Sequence, residues 1–196
     1  CVAPDYMFLP RGKTAEFIDH FKACVESMYP DITHNQDYTS IVNDKQYNRL
    51  QGYLDDAREQ GAHVIEINPR HENSADLRKI APTIVTNVTP SMQIMQHEIF
   101  GPAFVLLTYS DIKHVVQEIN SGGRPLALYY FGQDQAEQDY VLDHTLSGGV
   151  TLNDALMHAA MEEAPFGGVG ASGMGHYHGR DGFLEFSHAR TVFQGA

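Results

Sequence analysis

The spacing of hydrophobic positions changes several times along the chain, which predicts an alternation of strands and helices. In several segments apolar residues recur every three or four positions, the spacing of a helix with one buried face. These predicted helices span residues 14–28, 44–60, 111–120 and 134–146. Runs rich in β-branched and aromatic residues separate them and predict strands at 2–10, 64–67, 83–86, 104–108, 126–131 and 150–152. This order predicts an α/β fold with a largely parallel sheet flanked by helices on both faces.

The first predicted helix shows the pattern most clearly. Thr14 is its candidate N-cap, and one face of it carries Phe17, Ile18, Phe21, Cys24, Val25 and Met28. In the second helix the inward positions are Tyr47, Leu50, Leu54 and Ala57. The length of 196 residues allows a substantial core, and no repeat or linker divides the chain. We therefore predict a single domain over residues 1–196.

Composition and charge exclude several classes of function. Hydrophobic residues make up 42% of the chain and charged residues 19%, which is typical of a globular protein. The net charge of −12 disfavours nucleic-acid binding, because such a surface repels phosphate. The longest apolar run, 103–107, is too short to span a bilayer, so no membrane anchor is predicted. Two cysteines form no recognisable disulfide framework, which favours a reducing cytoplasm.

Cys1 is the first candidate for chemistry. A cysteine thiolate is a strong nucleophile toward carbonyl carbon once its pKa is lowered. A start at this residue indicates either processing that exposes the cysteine or a piece of a longer protein. The alternative is a small structural residue of the core, which is a common role for free cysteine.

The segment Gln96–Pro102 is the second candidate. It combines the carboxylate of Glu98, the ring of Phe100 and a Gly-Pro turn. A carboxylate can accept hydrogen bonds from a ribose diol, and an aromatic ring can pack beside a planar heterocycle. Alternatively, Glu98 is a solvated turn residue, as most glutamates are.

A glycine-rich stretch at 165–175 is the third candidate. Its spacing is close to that of a dinucleotide-binding fingerprint, but no buried strand precedes it and no long apolar helix follows it. A loop whose backbone passes close to another group, with Phe166 as its large apolar contact, fits the stretch better. His158, His176 and His178 lack the spacing of metal ligands, so no metal site is predicted.

Taken together, these segments resemble the aldehyde dehydrogenase superfamily. The resemblance rests on Cys1–Tyr6, on Glu98–Pro102 as an E-x-F-G-P motif, on Ser147–Asp154 and on Pro165–Gly175, in the right order along essentially the whole chain. Pro125–Tyr129 and Phe186–His188 are similar to the class 3, fatty-aldehyde and coniferyl-aldehyde branch. His97 and Ala171 depart from the residues common in that family, which are glutamate and asparagine.

The resemblance implies a mechanism and a set of roles. Cys1 would be the catalytic nucleophile, forming a thiohemiacetal and then a thioester with the aldehyde. Glu98 would bind the nicotinamide ribose of NAD or NADP, and Phe100 would pack near the nicotinamide. The aldehyde pocket would be lined by Phe166, Gly167 and Gly168, while Asn153 would support the catalytic loop. The substrate would be aromatic, such as coniferyl aldehyde, or fatty, and the enzyme a homo-oligomer, dimer or tetramer.

The resemblance also implies that the chain is the C-terminal, catalytic half of such an enzyme. The family's NAD-binding half, with its general-base glutamate and oxyanion asparagine, would precede Cys1 and is absent. We therefore expect these 196 residues alone to lack dehydrogenase activity.

Two other classes of function stay open at this point. An N-terminal-nucleophile hydrolase would use Cys1 with its own amine as base, although stacked antiparallel sheets are usual for that class. A non-enzymatic protein would be either a domain lipid-anchored through Cys1 or a crystallin-like relative that has kept the fold without activity.

Overall fold

The computed structural model describes all 196 residues, and their contacts divide the chain into two compact units. We call Ala3–Ser110 the first unit. Cys1–Val2 together with Asp111–Ala196 form the second unit. The assignment of residues 1–196 to a single catalytic domain stays a prediction.

The first unit is built around a four-stranded sheet. Its elements in chain order are β1 Tyr6–Pro10, α1 Thr14–Met28, α2 Asp44–Glu59, β2 His63–Glu66, β3 Thr83–Thr86, α3 Gln93–Gln96 and β4 Ala103–Tyr109, with a short 3-10 helix at Ala75–Leu77. The strand order is β1-β4-β3-β2. Strands β1 and β3 run parallel to β4, and β2 pairs antiparallel with β3. The predicted α/β fold with a largely parallel sheet is therefore confirmed, with one antiparallel edge strand.

Helices cover both faces of this sheet, because alternate residues of a strand point to opposite sides. Val85 and Val105 pack on one side against residues of α2, among them Leu50 and Leu54. Ile84, Phe104 and Leu106 pack on the other side against residues of α1, namely Phe17, Ile18, Phe21 and Val25. The hydrophobic spacing of both helices thus predicted their buried faces.

Three details of the predicted helix α1 were wrong. Cys24 is exposed, because the buried stripe is centred on Phe21 and Val25 and leaves Cys24 at its margin. Met28 is 59% exposed as the last helical residue. Thr14 is already helical, and the N-cap is Lys13, whose side chain makes no capping bond.

The second unit contains a two-stranded parallel sheet and short helices. Its elements are α4 Ile112–Ser121, β5 Ala127–Tyr130, α5 Gln135–His144, β6 Gly149–Leu152, α6 Met157–Ala160 and α7 Gly179–Glu185, with a 3-10 turn at Gly170–Ser172. The two longer helices begin at aspartate N-caps. Asp111 accepts the N–H of Lys113, and Asp134 accepts those of Ala136 and Glu137.

The two faces of the β5–β6 sheet differ in what covers them. Leu128, Tyr130 and Val150 pack against apolar residues of α4 and α5. Tyr129 and Thr151 are register partners, so both side chains point to the opposite face. That face carries the candidate site described below.

Helices α3, α6 and α7 were not predicted. They contain only four to seven residues, which is too short for a hydrophobic period to show. None of the helices combines the length and the apolar character needed to cross a bilayer.

Candidate active site

The segment that begins with Cys1 is anchored at its second residue. The Cys1 residue is exposed. The hydroxyl of Tyr129 donates a hydrogen bond to the Val2 carbonyl oxygen, with an O···O distance of 2.6 Å. The residue directly after the predicted nucleophile is therefore attached to strand β5.

A histidine from α6 covers the same face of the β5–β6 sheet. The His158 ring lies 5.8 Å from the Tyr129 ring, centroid to centroid. Its Nδ1 is hydrogen-bonded to Thr151 Oγ1 at 2.7 Å, and its backbone N–H donates to the same oxygen at 3.1 Å. Burial lowers the pKa of His158 below its usual value, because the charged imidazolium loses hydration. The lowered pKa favours the neutral form of the ring that lies beside Tyr129.

The space for this ring exists because residue 149 is a glycine. A Cβ on Gly149 would lie 2.4 Å from Cδ2 of His158, which is well inside van der Waals contact. Gly149, the first residue of β6, therefore admits the histidine ring.

Phe166 extends the layer of rings. It lies 6.2 Å from His158 and stacks on His178 at 5.6 Å with an interplanar angle of 19°. Two backbone hydrogen bonds, at 2.8 and 2.9 Å, join Phe166 and Tyr177. They connect the two ends of the glycine-rich loop. Tyr129, His158, Phe166 and His178 form what we call the ring layer.

The glycines after Phe166 are required by the loop's own backbone. A Cβ on Gly167 would lie 2.2 Å from the carbonyl oxygen of Gly175, and one on Gly168 would lie 2.1 Å from that of Ser172. The close approach expected from the sequence is thus an approach of the loop to itself. Both positions follow directly on Phe166, so the loop's conformation fixes where that ring stands.

Asn153 joins the ends of the two strands. It adopts a left-handed conformation, with φ of 55°. Its Oδ1 accepts the N–H of Gly132 at 2.8 Å, and its own N–H donates to the Tyr130 carbonyl at 2.7 Å. These bonds link the turn after β5 to the end of β6. The support of the catalytic loop by Asn153 stays a prediction.

Glu98 and Phe100 lie in the first unit, and both are exposed. Phe100 has a positive φ of 49° and is 64% exposed. The backbone of this turn is clamped from two sides. Arg49 of α2 donates to the carbonyls of Glu98 and Ile99, at 3.2 and 2.7 Å, and Asp5 accepts the N–H of Ile99 at 2.9 Å.

The two side chains that clamp the turn, Arg49 and Asp5, lie in different electrostatic environments. The guanidinium of Arg49 lies over the Tyr53 ring, 5.0 Å from its centroid, and this contact helps to orient it. Burial raises the pKa of Asp5, the N–H of Ile99 lowers it, and the nearby charge of Glu98 raises it. The side chains of Arg49 and Asp5 are thus paired with the backbone of the turn, and the side chains of Glu98 and Phe100 are exposed.

The chemistry of this turn fits a nucleotide cofactor. Glu98 offers carboxylate oxygens as acceptors for ribose hydroxyls, and the exposed Phe100 ring offers a flat apolar surface for a heterocycle. The adjacent backbone is held by three hydrogen bonds from outside the turn. The assignment of Glu98 and Phe100 to the cofactor stays a prediction.

One group of potential metal ligands lies elsewhere in the first unit. Ligand atoms of Asp31, His34 and Glu72 lie within 4.8 Å of one another. Arg70 donates to Asp31 at 2.9 Å, and Glu72 accepts the N–H groups of Ile32 and Thr33. Both carboxylates are thus already used in holding the loop, and the prediction that the chain binds no metal stays a prediction.

The predicted site residues fall into two sets. Cys1, Asn153 and the Phe166–Gly168 segment belong to the second unit, while Glu98 and Phe100 belong to the first. No functional role for Tyr129, His158 or Arg49 could be predicted from the sequence. Tyr129 stood in a recognised motif without a function, whereas Arg49 appears in the sequence as one more polar position of an amphipathic helix.

Comparison with known proteins places the chain in a family. Residues 1–192 match the model of the Aldehyde dehydrogenase family. The chain is 49% identical over 196 residues to a probable coniferyl aldehyde dehydrogenase of Caulobacter vibrioides, covering 99% of the chain and 40% of that protein. It is 47% identical over 194 residues to the coniferyl aldehyde dehydrogenase of a Pseudomonas species, covering 98% of the chain and 40% of that protein.

Solved structures agree with this assignment. The substrate-bound AldH of Staphylococcus aureus superimposes with a TM-score of 0.87 at 36% identity, covering 100% of the chain and 43% of that protein. The chain therefore belongs to the aldehyde dehydrogenase family, as its motifs predicted. It spans about 40% of the length of the curated relatives that it matches. The alternative of an N-terminal-nucleophile hydrolase is not supported.

The glycine-rich loop generates a prediction about stability. We expect Gly168→Ala to lower the free energy of unfolding by about 2 kcal/mol or more, since backbone atoms of Ser172 must move to admit the new Cβ. Chemical denaturation followed by circular dichroism measures this change. The matched control is Gly52→Ala in α2, where nothing lies within 4 Å of the new Cβ. It is expected to stabilise the chain by about 0.5–1 kcal/mol, and equal effects of the two variants would contradict the account.

His158 generates a prediction about pH. Its pKa is lowered in the folded state, so the unfolded state binds more protons as the pH falls through about 6.5. The free energy of unfolding should therefore decrease between about pH 7.5 and about pH 5.5, and His158→Phe should reduce that decrease. Denaturant titrations at both pH values measure it. His114→Gln replaces an exposed histidine of α4 and should keep the wild-type decrease. An unchanged decrease in His158→Phe would contradict the assignment.

Proposed function

We propose that this chain carries the nucleophile, the aldehyde pocket and the nicotinamide-ribose contacts of an NAD(P)-dependent aldehyde dehydrogenase. The reaction is the oxidation of an aldehyde to its carboxylic acid. The observation that carries the proposal is the exposed Cys1, anchored through Val2 to a layer of rings that includes Phe166, in a chain of the aldehyde dehydrogenase family.

The chemistry begins at the sulfur of Cys1. Its thiolate forms a bond to the aldehyde carbon, and the carbonyl electron pair moves to oxygen, which gives a thiohemiacetal. Bound NAD(P)+ supplies the acceptor for the hydride that leaves this carbon. Cys1 then holds the acyl group as a thioester. Attack by water breaks the C–S bond, releases the carboxylic acid and restores the thiol.

Glu98 and Phe100 bind and orient the cofactor in this proposal. The Glu98 carboxylate accepts hydrogen bonds from the ribose hydroxyls, and Phe100 packs beside the nicotinamide. Support comes from their exposure and from the clamp of Arg49 and Asp5, which fixes the turn before any ligand arrives. The position that distinguishes NAD from NADP is the 2′ oxygen of the adenosine ribose, to which neither Glu98 nor Phe100 is assigned, so the proposal covers both cofactors.

The aldehyde pocket is assigned to Phe166, Gly167 and Gly168. Phe166 stacks on His178, and an aromatic ring of this kind can pack beside a planar aromatic aldehyde. Coniferyl aldehyde is the proposed substrate, supported by the names of the relatives at 47–49% identity. A fatty aldehyde is the second candidate, supported by the exposed Met157 and Met161, 50% and 54% exposed, which offer flexible apolar surface.

The proposal includes assembly as a dimer or tetramer and a cytoplasmic location. Support for assembly comes from large apolar side chains near the C-terminus, where Phe186 and Phe193 are 89% and 90% exposed. Support for the location comes from the cysteines, which are few and both exposed.

Replacement of the nucleophile tests the proposal. In the complete enzyme, Cys1→Ser should reduce NADH or NADPH formation from coniferyl aldehyde by a factor of about 1000 or more, because a serine hydroxyl is not ionised at neutral pH. Cys24→Ser removes the other exposed thiol of the chain and should leave the rate unchanged. Retained activity in Cys1→Ser would refute the proposed mechanism.

Replacement of Glu98 tests the cofactor contact. Glu98→Gln keeps the size of the side chain but loses the charged acceptor, so we expect the KM for the dinucleotide to rise about tenfold. The KM for the aldehyde should change much less. Glu118→Gln, which removes an equal charge from exposed helix α4, is the control and should alter neither value. A rise in the KM for the aldehyde alone would contradict the assignment of Glu98 to the dinucleotide.

A further inference from the structure

The Tyr129 side chain is hydrogen-bonded to the segment that begins with Cys1. Its hydroxyl donates to the carbonyl oxygen of Val2 at 2.6 Å. Val2 follows Cys1 directly in the chain. The position of the Cys1 sulfur relative to the bound Val2 carbonyl therefore depends only on the backbone torsions of these two residues and on χ1 of Cys1. A fixed Val2 carbonyl therefore restricts the volume that the thiol can explore.

The hydroxyl of Tyr129 is well placed to keep this bond. Burial raises the pKa of Tyr129, while a hydrogen bond from the N–H of Leu156 lowers it. A protonated hydroxyl is the donor that the bond to the Val2 carbonyl requires, so the raised pKa of Tyr129 favours this bond.

The ring of Tyr129 is fixed from two further directions. Strand pairing places the Tyr129 ring beside Thr151 on one face of the β5–β6 sheet. Helices α4 and α5 pack against the other face of the same two strands. The His158 ring lies 5.8 Å from the Tyr129 ring and is itself bound twice to Thr151 Oγ1. His158 also contacts Phe166, so the same layer of rings carries the wall assigned to the aldehyde pocket.

We propose that Tyr129 is a positioning residue for the Cys1 nucleophile, holding the sulfur at a set place relative to Phe166 through the Val2 carbonyl. This inference rests on the proposed function of Cys1. Tyr129 takes no part in bond making: it reduces the number of conformations from which the thiolate must find the aldehyde carbon. Loss of its hydroxyl should therefore change the reactivity of Cys1 without removing it.

The matched pair of variants is Tyr129→Phe and Tyr130→Phe. Both remove one tyrosine hydroxyl from strand β5, and the hydroxyl of Tyr130 donates to Glu137 at 2.6 Å on the opposite face. The readout is the rate of iodoacetamide alkylation of Cys1 relative to Cys24, resolved by mass spectrometry in the full chain across a range of pH. Cys24 serves as an exposed reference thiol in the same molecule. No cofactor or aldehyde is needed.

We expect Cys1 to be alkylated faster than Cys24 in the unmodified chain. Tyr129→Phe should lower the Cys1-to-Cys24 rate ratio at least about threefold, as the loss of one hydrogen bond predicts, and should displace its pH profile. Tyr130→Phe should leave both the ratio and the profile unchanged. Far-UV circular dichroism should show both variants folded.

The possible failures are distinguishable. A ratio at or below one in the unmodified chain would contradict the nucleophile and hence the proposed function. A ratio above one that Tyr129→Phe leaves unchanged would overturn the positioning role while Cys1 remains the nucleophile. An equal fall in both variants, or a Tyr129→Phe chain that alone fails to fold, would show that the hydroxyl serves the fold rather than the thiol.

Discussion

The parallel pairing of β5 with β6 is the contact on which the second unit's site depends. Register places Tyr129 beside Thr151 on one face and Leu128 beside Val150 on the other. A slip of β6 by one residue would turn Thr151 toward the core and Val150 outward. Helices α4 and α5, which cover the apolar face, therefore also determine where the Tyr129 hydroxyl and the His158 ring stand. Apolar packing on one face of the two-stranded sheet thus determines which side chains lie on the other face.

Steric constraints on glycines complete this arrangement. Gly149 leaves space for His158, and Gly167 and Gly168 let the loop fold closely on itself after Phe166. A Cβ on Gly148 would lie 2.3 Å from the carbonyl oxygen of Gly167, so the turn before β6 and the loop also touch through backbone alone. Gly148, Gly167 and Gly168 are thus determined by contacts between backbone segments, whereas Gly149 is determined by the His158 side chain.

The site in the first unit follows a different physical rule. Glu98 and Phe100 are exposed side chains on a turn whose backbone is held by Arg49 and Asp5. The side chains that would meet a ligand are distinct from those that maintain the geometry. This division allows a carboxylate to remain accessible to solvent while the peptide groups beside it are paired.

Periodicity predicted most of the fold because the long helices and the strands each bury one continuous face. The stripe of α2 and the alternating residues of β3 and β4 are visible in the sequence for that reason. Elements of four to seven residues, such as α6 with His158, are too short to show a period. Cys1, Glu98 and Phe166 could be named from motifs. Tyr129 and Arg49 could not be given a role, because their partners, Val2 and the Glu98–Ile99 peptide, lie 127 and about 50 positions away.

We propose that an acyl group passes through the sulfur of Cys1. The most direct test is mass spectrometry of the complete enzyme, quenched in acid during turnover with coniferyl aldehyde and dinucleotide. The account predicts a peptide containing Cys1 that is heavier by the acyl group, with the added mass removed by hydroxylamine as expected for a thioester. An enzyme that turns over with no adduct on Cys1, or with the acyl group on Cys24, would contradict it.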